Sequence, residues 1–580
     1  MGNNTSYKKP LYEVAKIRDL KEMLELSSML FAQKNAFLIK HKGKENYTPI
    51  TYAKYKRDVD AFGTALTDCN LTGEKVALIG ENRYEWAVTY LSVVNGMGII
   101  VPIDKELPEN EIQSLCERSE ASAVIFSGKY IDVIKRIAIT NKKLKYLIDM
   151  DISEDQEDVI SYNQLMKKGY SLIDGGDKRF LDAKINPEVM NILLFTSGTT
   201  ADSKAVMLSH TNICADLMGM CSMTYIGPED TFLSVLPLHH TYECTCGFLC
   251  QIYRGCTIAY CEGLRHIARN LKEAKATMMV SVPLILESIY KHIWDQISKN
   301  KGTHIKIEIA VVISNFLRKI GIDIRKTLFK QIHQSFGGNL RLLVSGAAGI
   351  NPKVAKGFRD LGIDLIQGYG LTECAPIVAL NRDVYYKDSA AGLQLPDVEL
   401  RIDQPLADGS GEIIAKGRNV MLGYFKNEQA TAGAIKDGWF HTGDLGFIDK
   451  DGFVHVTGRK KDVIVTKNGK NVYPEEIEKV LNRSKYIEES MIWGKPDKDG
   501  DLQISAIVVP NLDNIRNELK AEPTKAQVDL IIAKEIKGIN NKMPIYRHIK
   551  DFSIREEELI KTTTQKVKRH KEIERIKETC

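Results

Sequence analysis

Residues 195–210 read FTSGTTADSKAVMLSH, and this stretch sets the first expectation about the fold. Hydroxyl-bearing residues and one glycine precede a single lysine, Lys204. They are Thr196, Ser197, Gly198, Thr199 and Thr200. A loop of this composition can aim hydroxyl and backbone N–H groups at phosphate oxygens, while the lysine adds a point charge. The spacing excludes a Walker loop, because Ser203 and Ala205 occupy the positions of its second glycine and its hydroxyl.

Short apolar or β-branched runs alternate with amphipathic stretches between about residues 75 and 370. The runs are KVALIG, GIIVPID, SAVIFS, KYLID, NILLFTSG, FLSVLPL, TMMVSV, RLLVSG and DLIQGYG. This alternation predicts an α/β fold with doubly wound, largely parallel sheets. Ligands of such folds bind beyond the carboxyl ends of strands, which is where NILLF would place Thr196 and the residues after it.

The character of the sequence changes twice after residue 380. The segment LQLPDVELRIDQPLADGSGEIIAKG alternates polar and apolar residues between turn signals, which predicts a β subdomain over about residues 381–457. Beyond TGRKKDVIV the chain becomes mixed and highly charged, as in a separate domain. We therefore predict a large N-terminal domain over residues 1–459 and a small, mobile α+β domain over residues 460–580.

The bulk composition points to small anionic ligands. The 580 residues include 80 basic and 75 acidic side chains, and a net charge of +5 is too weak to indicate nucleic-acid binding. The sequence contains no run of 18 apolar residues, and its first residues lack the apolar segment of a signal peptide. We expect a cytoplasmic protein, and nothing in the sequence indicates its oligomeric state.

A cluster of cysteines raises the question of a metal site. The pair His239-His240 precedes five cysteines: Cys244, Cys246, Cys250, Cys256 and Cys261. They contain no C-x-x-C pair, and their small and apolar neighbours favour a buried helix followed by a strand. Zinc is the alternative that this pattern supports less well.

Two further motifs offer nucleotide-binding chemistry. In IQGYGLTECAP, Tyr369 lies between two glycines and can stack on a base, while Glu373 can supply an oxygen ligand to magnesium. In GWFHTGDLGFID and TGRKKD, Asp444 and Arg459 can hold ribose hydroxyls. Taken singly, each motif is also compatible with a structural turn.

Together with the late segment KTTTQKVKR, these motifs resemble the adenylate-forming superfamily of acyl-CoA synthetases, adenylation domains and luciferases. The motifs stand in the same order, and the likeness extends over essentially the whole chain. It implies an enzyme that joins a carboxylate to ATP, releases pyrophosphate and passes the acyl group from AMP to a thiol. The implied cofactors and co-substrates are ATP, Mg²⁺ and coenzyme A.

The resemblance also implies roles for single residues. The loop from Thr196 to Thr200 and Lys204 would hold phosphates, and Thr196 and Glu373 would hold magnesium. Adenine would be bordered by Gly346, Ala347, Ala348, Gly368, Tyr369 and Gly370. The ribose would be held by Asp444 and Arg459.

The remaining implied roles concern the reacting groups. The catalytic lysine would be Lys566, with Glu373, Thr372 and His240 near the carboxylate. Apart from the resemblance, Lys566 is one member of a basic tail, and a half-buried structural histidine is the less favoured alternative for His240. The hinge would be Lys461, and coenzyme A would pass Lys467 and Gly469. The family pattern is altered at Ala201, Ser203, Ala205, Ile560 and Gln565.

The length of one insert resembles the long-chain fatty acyl-CoA synthetase branch, since 57 residues separate Pro283 from Arg341. Within it, apolar residues mix with a basic set that could rest on anionic lipid as a peripheral membrane contact. The set is Arg318, Lys319, Arg325, Lys326 and Lys330. The alternative for these cations is an ordinary solvated face.

Three other functions stay open at this point. One is an acyl-AMP ligase that loads a carrier protein, although the extra insertion near the hinge that is typical of such ligases is not seen between Gly458 and Glu475. Another is a ligase for medium-chain or aryl acids. The third is a nucleotide or acyl sensor with a decayed site, which the altered motif positions suggest and the retained polar residues disfavour.

Overall fold

The computed structural model describes residues 9–41, 46–196, 203–299, 301–466, 470–498, 501–562 and 566–579. The chain divides into two units. The first comprises Met1–Leu400 and Ala415–Phe440, and the second comprises Arg401–Ile414 and His441–Cys580. The boundary predicted at residue 459 falls inside the second unit.

Strands occur at all nine runs that the sequence predicts. The strands are β1 (Asn35–Ile39), β2 (Thr48–Thr51), β3 (Lys75–Ile79), β4 (Ile99–Pro102), β5 (Ala123–Phe126), β6 (Tyr146–Asp149), β7 (Ile160–Ser161), β8 (Met190–Phe195), β9 (Ala205–Ser209), β10 (Thr231–Ser234), β11 (Thr257–Tyr260), β12 (Met278–Ser281), β13 (Leu342–Ser345), β14 (Asp364–Gly370), β15 (Ile377–Leu380), β16 (Gly392–Gln394), β17 (Val398–Asp403), β18 (Gly411–Gly417), β19 (Gly423–Tyr424), β20 (Ile435–Lys436), β21 (Trp439–Ile448), β22 (Phe453–Arg459), β23 (Ile464–Val465), β24 (Asn471–Val472), β25 (Ile487–Pro496), β26 (Leu502–Pro510) and β27 (Asp551–Ile554).

Helices separate most of these strands. They are α1 (Leu20–Leu30), α2 (Tyr52–Asp68), α3 (Tyr84–Ser92), α4 (Glu109–Ser119), α5 (Ile131–Thr140), α6 (Tyr162–Asp174), α7 (His210–Met223), α8 (Cys250–Tyr253), α9 (Ile267–Glu273), α10 (Pro283–Ser298), α11 (Lys301–Lys319), α12 (Arg325–Leu328), α13 (Lys330–Ser335), α14 (Pro352–Asp360), α15 (Glu428–Ala434), α16 (Pro474–Leu481), α17 (Leu512–Leu519), α18 (Lys525–Asn540) and α19 (Arg569–Thr579). Among the described residues, no helix is both long and apolar enough to cross a membrane.

One sheet of the first unit brings several loops to a common edge. Its strands lie in the order β16-β15-β14-β13-β12-β10-β11-β1-β2, and the run from β14 to β11 is parallel. The register pairs Ser281 with Ser345 and Ser345 with Gln367. Because these strands end side by side, the segments that follow them share one edge, as expected for a doubly wound α/β fold. The predicted fold class is confirmed.

The second sheet of this unit carries the opening stretch of sequence. Its order is β19-β9-β8-β4-β3-β5-β6-β7, with β3, β4, β5 and β6 parallel. Strands β8 and β9 form an antiparallel hairpin in which Phe195 pairs with Ala205. Helix α7 begins directly after β9 because Ser209 and Asn212 cap it reciprocally. The hairpin and the helix therefore fix both sides of the loop.

The second unit contains smaller sheets with their own core. Strands β17, β18, β21 and β22 lie side by side, and the division between the units passes through β17, β18 and β21. A hairpin of β23 and β24 and a sheet of β25, β26 and β27 follow. Buried aliphatic side chains of β25 and β26 pack with those of α16 and α18, which makes this part an α+β structure.

The cysteine-rich segment is confirmed as a buried helical stretch followed by a strand. Residues Tyr242–Leu249 form a π-helix that continues into α8, and β11 follows. The thiols of Cys244, Cys246, Cys250 and Cys256 are free and buried. In the described part of the chain, no group of potential metal ligands includes these cysteines.

Candidate active site

The two ends of the glycine-containing loop are held together by Thr196 and Lys204. The backbone N–H of Thr196 donates to the Lys204 carbonyl at 2.9 Å, and the Lys204 N–H donates to Oγ1 of Thr196 at 3.1 Å. Arg118 also donates to Oγ of Ser203 at 2.8 Å and to its carbonyl oxygen at 2.5 Å. Ser203 stands where the family pattern has a proline, so these bonds restrain the altered position. Residues Ser197, Gly198, Thr199 and Thr200 lie outside the described residues.

A tyrosine that the sequence analysis missed links Lys204 to Glu373. The Lys204 ammonium lies 4.6 Å from the ring centroid of Tyr424, and the Tyr424 hydroxyl donates to Oε1 of Glu373 at 3.0 Å. Strand β19 places this tyrosine by pairing antiparallel with β9, where Tyr424 is opposite Val206. In the sequence, the position of this tyrosine is indicated only by the glycine before it. Gly423 has a φ of 140°, a backbone conformation that favours glycine.

Glu373 is held beside the histidine-bearing loop. It lies in a short 3₁₀ turn, Thr372–Cys374, and its carbonyl accepts from the N–H of Met421 at 2.8 Å. The hydroxyl of Thr241 donates to Oγ1 of Thr372 at 3.3 Å. Thr241 follows His240 directly, so the structure brings His240, Thr372 and Glu373 into one neighbourhood.

Asn82 fixes the loop that carries the two histidines. Its amide donates to the Leu236 carbonyl at 2.7 Å, and its Oδ1 accepts from the Leu238 N–H at 3.0 Å. Asn82 follows strand β3 of the neighbouring sheet, in the segment GENRYEW. A single amide thus shapes LPLHH from a distant part of the sequence, a role that no local pattern reveals.

The first predicted adenine segment follows strand β13 at the shared edge. A Cβ at Gly346 would lie 2.5 Å from the Tyr242 ring, so glycine is required where this ring packs against the backbone. Ala347 has a φ of 69°, an uncommon conformation for alanine. Tyr242 was not among the predicted residues, and its hydroxyl donates to the Val344 carbonyl at 3.2 Å.

The second predicted adenine segment ends strand β14, adjacent to the first. Tyr369 is half-buried and pairs with Ala379 of β15. A Cβ at Gly370 would lie 1.8 Å from the Pro376 carbonyl, so a side chain cannot fit there. The structure therefore brings Gly346–Ala348 and Gly368–Gly370 together, as the order of the parallel strands requires.

Three of the predicted polar residues, Asp444, Arg459 and Lys566, lie in the second unit. Nε of Arg459 lies 2.8 Å from Oδ1 of the buried Asp444, and the two residues pair across β21 and β22. The pKa of Lys566 is lowered by loss of hydration and by repulsion from Arg459, whereas Asp444 opposes the shift. Lys566 is exposed, so water screens the loss of hydration and the repulsion from Arg459 is the more important cause. The three side chains thus act on one another electrostatically.

Arg569 anchors the segment that carries Lys566. Its guanidinium donates to both carboxylate oxygens of Glu478, at 2.7 and 2.6 Å, and to the Ile492 carbonyl at 2.9 Å. Nε of Arg569 also lies 3.7 Å from Oδ2 of Asp462, the neighbour of the predicted hinge Lys461. Lys461 itself is exposed and lies in the short turn Lys460–Asp462 that follows β22. Lys467 and Gly469 lie outside the described residues.

Burial keeps two ionisable side chains near the histidine loop neutral at pH 7. Burial raises the pKa of Glu243 from 4.5 to about 8, although Ser234 donates to this carboxyl group at 2.5 Å. Burial, together with the positive charge of Lys105, lowers the pKa of His239 to about 3. His239 lies 3.5 Å from Asp104, but a neutral imidazole forms no charge pair with it.

The comparison with known sequences gives the class of this protein. The AMP-binding enzyme family matches residues 31–425. This chain belongs to that family, which confirms the resemblance drawn from its motifs. The long-chain-fatty-acid–CoA ligase FadD15 of Mycobacterium bovis is 28% identical over 77% of this chain and 76% of its own length. A long-chain-fatty-acid–[acyl-carrier-protein] ligase of Arabidopsis thaliana, AEE15, is 26% identical over 84% and 76%.

Solved structures share the fold at lower identity. An anthranilate CoA ligase in complex with anthranoyl-AMP superposes with a TM-score of 0.76, at 19% identity over 98% of both chains. The o-succinylbenzoate CoA synthetase of Bacillus subtilis in complex with ATP and magnesium gives 0.71, at 20% identity over 94% of this chain and 98% of the other. These likenesses establish the fold.

The buried carboxyl group of Glu243 predicts a pH-dependent stability. Between pH 4.5 and 8 the native state keeps a proton that the unfolded state has lost, so stability falls as pH rises through this window. Glu243→Gln does not titrate. We expect its stability relative to wild type to increase by about 1 kcal/mol per pH unit there. Thermal melting from pH 5 to 9 measures this effect, with the exposed Glu428→Gln as control. A constant difference for Glu243→Gln would contradict the assignment.

Proposed function

We propose that this protein activates a carboxylic acid with ATP to give acyl-AMP and pyrophosphate, and then transfers the acyl group to coenzyme A. The observation that carries the proposal is the chain of contacts from Lys204 through Tyr424 to Glu373. It joins a phosphate-type loop to a carboxylate suited to magnesium. Membership of the AMP-binding enzyme family supports the same reaction.

The difficulty of the first step is electrostatic. A carboxylic acid with a pKa of about 4 to 5 is already a nucleophilic anion at pH 7, so no general base is needed. Its oxygen attacks the α-phosphorus, and the bond to pyrophosphate breaks with the electron pair leaving on the pyrophosphate oxygen. Two anions must approach each other, so fixed positive charge lowers the barrier. Lys204 and Lys566 are the lysines we assign to this role.

The residues of the first unit fit a magnesium ion. Carboxylate and hydroxyl oxygens are the hard ligands that Mg²⁺ prefers, and Glu373 and Thr196 would supply them. Within the described residues, the Glu373 carboxylate accepts a hydrogen bond from Tyr424 alone, through Oε1. When bound, the ion neutralises negative charge on the phosphates.

The two steps place different demands on the reacting carbonyl. After adenylation, the coenzyme A sulfur attacks this carbonyl, AMP leaves with the electron pair of the broken bond, and the thiol proton passes to water. We propose that the domain of residues 460–580 rotates about Lys461, so that Lys566 serves the first step and a path by Lys467 and Gly469 serves the second. Asp444 and Arg459 would hold the ribose in both steps.

The proposed substrate is a long-chain fatty acid. The names of the curated relatives and the long insert between Pro283 and Arg341 support this choice. The carrier-protein relative keeps a second acceptor open, and a medium-chain or aryl acid is the second substrate class. A sensor is disfavoured because the polar and charged residues assigned to the reaction are retained, among them Glu373, Lys204 and Lys566.

A panel of C4 to C18 and aryl acids tests the reaction, with pyrophosphate exchange and AMP release as readouts. We expect activity to be highest with long chains, and Lys566→Ala to lower adenylation by at least about 100-fold, on the order of 3 kcal/mol. Lys568→Ala, two residues away, is the matched control. No acyl-AMP with any acid would refute the proposal. Thioester formation with holo carrier protein in place of coenzyme A would change the acceptor.

Substitutions at Tyr424 test the link between the two charged groups. Tyr424→Phe loses the hydrogen bond to Glu373, about 1.5–3 kcal/mol for a charged acceptor. Tyr424→Leu also loses the ring beneath Lys204. We expect kcat/KM for ATP to fall by roughly 10-fold or more in the first variant and further in the second, with a higher half-saturating Mg²⁺ concentration. Tyr146→Phe in the same sheet is the control. An unchanged Mg²⁺ dependence would exclude this role.

A variant at the hinge separates the two steps. Lys461→Pro fixes φ and removes an N–H, which opposes a large backbone rotation at this residue. We expect pyrophosphate exchange to stay within a few-fold of wild type while thioester formation is lost. Lys460→Ala provides a neighbouring control without the backbone restriction. Equal loss of both steps in Lys461→Pro would count against the rotation.

A further inference from the structure

Helix α11 exposes an apolar stripe on its outer face. The stripe consists of Ile305, Ile309, Val312, Ile313 and Phe316, each with at least half of its surface exposed, and the exposed Ile320 follows the end of the helix. The spacing follows one side of a helix and covers about 17 Å along its axis. Soluble surfaces rarely carry so many large aliphatic side chains side by side.

The inner face of the same helix packs against the rest of the first unit. Ile307, Ala310 and Val311 pack against the hydrophobic core beneath, and the side chain of Asn315 donates to Asp360 of α14 at 3.0 Å. The helix is thereby held in place by one side alone. Its outer stripe contributes nothing to the core of the unit, so it is available to another surface.

The charges around the stripe are mainly positive. In the described residues from 302 to 330, the exposed cations are Lys306, Arg318, Lys319, Lys326 and Lys330, and the exposed acids are Glu308 and Asp323. With about 100° of rotation per residue, Lys306 lies on one border of the stripe, and Lys319 lies on the other beside the acid Glu308. Long lysine side chains at such borders reach the polar layer of a bilayer while apolar residues enter it.

We propose that the outer face of α11 docks this protein onto anionic lipid bilayers. Aliphatic side chains with cations on both borders match an interfacial helix, and the cations are attracted to anionic headgroups. The energetic hot spots of protein interfaces are instead rich in Trp, Tyr and Arg, and none of these lies in the stripe. A second copy seated on it would bring two sets of cations together, which opposes self-association. Supply of a fatty acid from the bilayer rests on the proposed function, whereas docking itself does not.

Vesicle sedimentation of the full-length protein, without substrate, tests the docking. The vesicles contain phosphatidylcholine alone or with phosphatidylserine at about 7:3, in roughly 0.1 M salt, where charges act over about 10 Å. Wild type should sediment with the anionic vesicles. Val312→Asp with Phe316→Asp should weaken binding at least about tenfold, and Ile139→Asp, on an exposed residue of α5, should leave it unchanged. Lys306→Glu with Lys319→Glu should abolish the preference for anionic vesicles.

Two further measurements show whether a loss of vesicle binding is caused by unfolding of the variant. Thermal melting and AMP release with a short soluble acid show that each variant is folded, and a failure of the ligase reaction leaves the vesicle result intact. Wild type that stays in the supernatant, or Asp variants that bind as wild type does, would overturn the proposal. Sedimentation velocity that shows a dimer disrupted by the Asp pair, without vesicle binding, would equally overturn it in favour of contact between copies.

Discussion

The placement of Lys204 over Tyr424 is the contact on which the candidate site depends. No ion pair joins Lys204 to Glu373 in the described part of the chain, because the ring of Tyr424 stands between them. A direct pair would neutralise both charges, and neither would attract its own ligand. With the tyrosine as spacer, the ammonium can face a phosphate and the carboxylate can face a cation. The pairing of β19 with β9 enforces this separation.

Two ionisable side chains next to the histidine loop, Glu243 and His239, are uncharged at pH 7. Glu243 is buried with a pKa of about 8, and His239 with a pKa of about 3, so both are mainly neutral at pH 7. In the proposed reaction, a negative charge at Glu243 would repel the incoming carboxylate. Burial therefore provides hydrogen-bonding groups that shape the loop without opposing the approach of an anion.

The sequence predicts the sheet edge well and the contacts between distant segments poorly. The nine apolar runs are local features, and the parallel order of their strands places Gly346–Ala348 beside Gly368–Gly370 by a general rule. No such rule predicts the contacts of Tyr424, Asn82 and Arg569, because the partner of each lies far away in the sequence. Helix α11 shows the same limit. Its mixture of apolar and basic residues is visible in the sequence, but which face the core covers depends on packing against α10 and α14.

Two cations of the second unit, Arg459 and Lys566, repel each other. Loss of hydration and repulsion from Arg459 both lower the pKa of Lys566, while Asp444 opposes the shift. A phosphate near both would attract each of them, and by linkage it would raise the pKa of Lys566 and favour the ammonium form. Arg569 holds the segment of Lys566 through Glu478 and the Ile492 carbonyl, so less ordering is needed when the anion arrives. In the proposed reaction, this repulsion would be relieved when a polyanionic ligand binds near both cations.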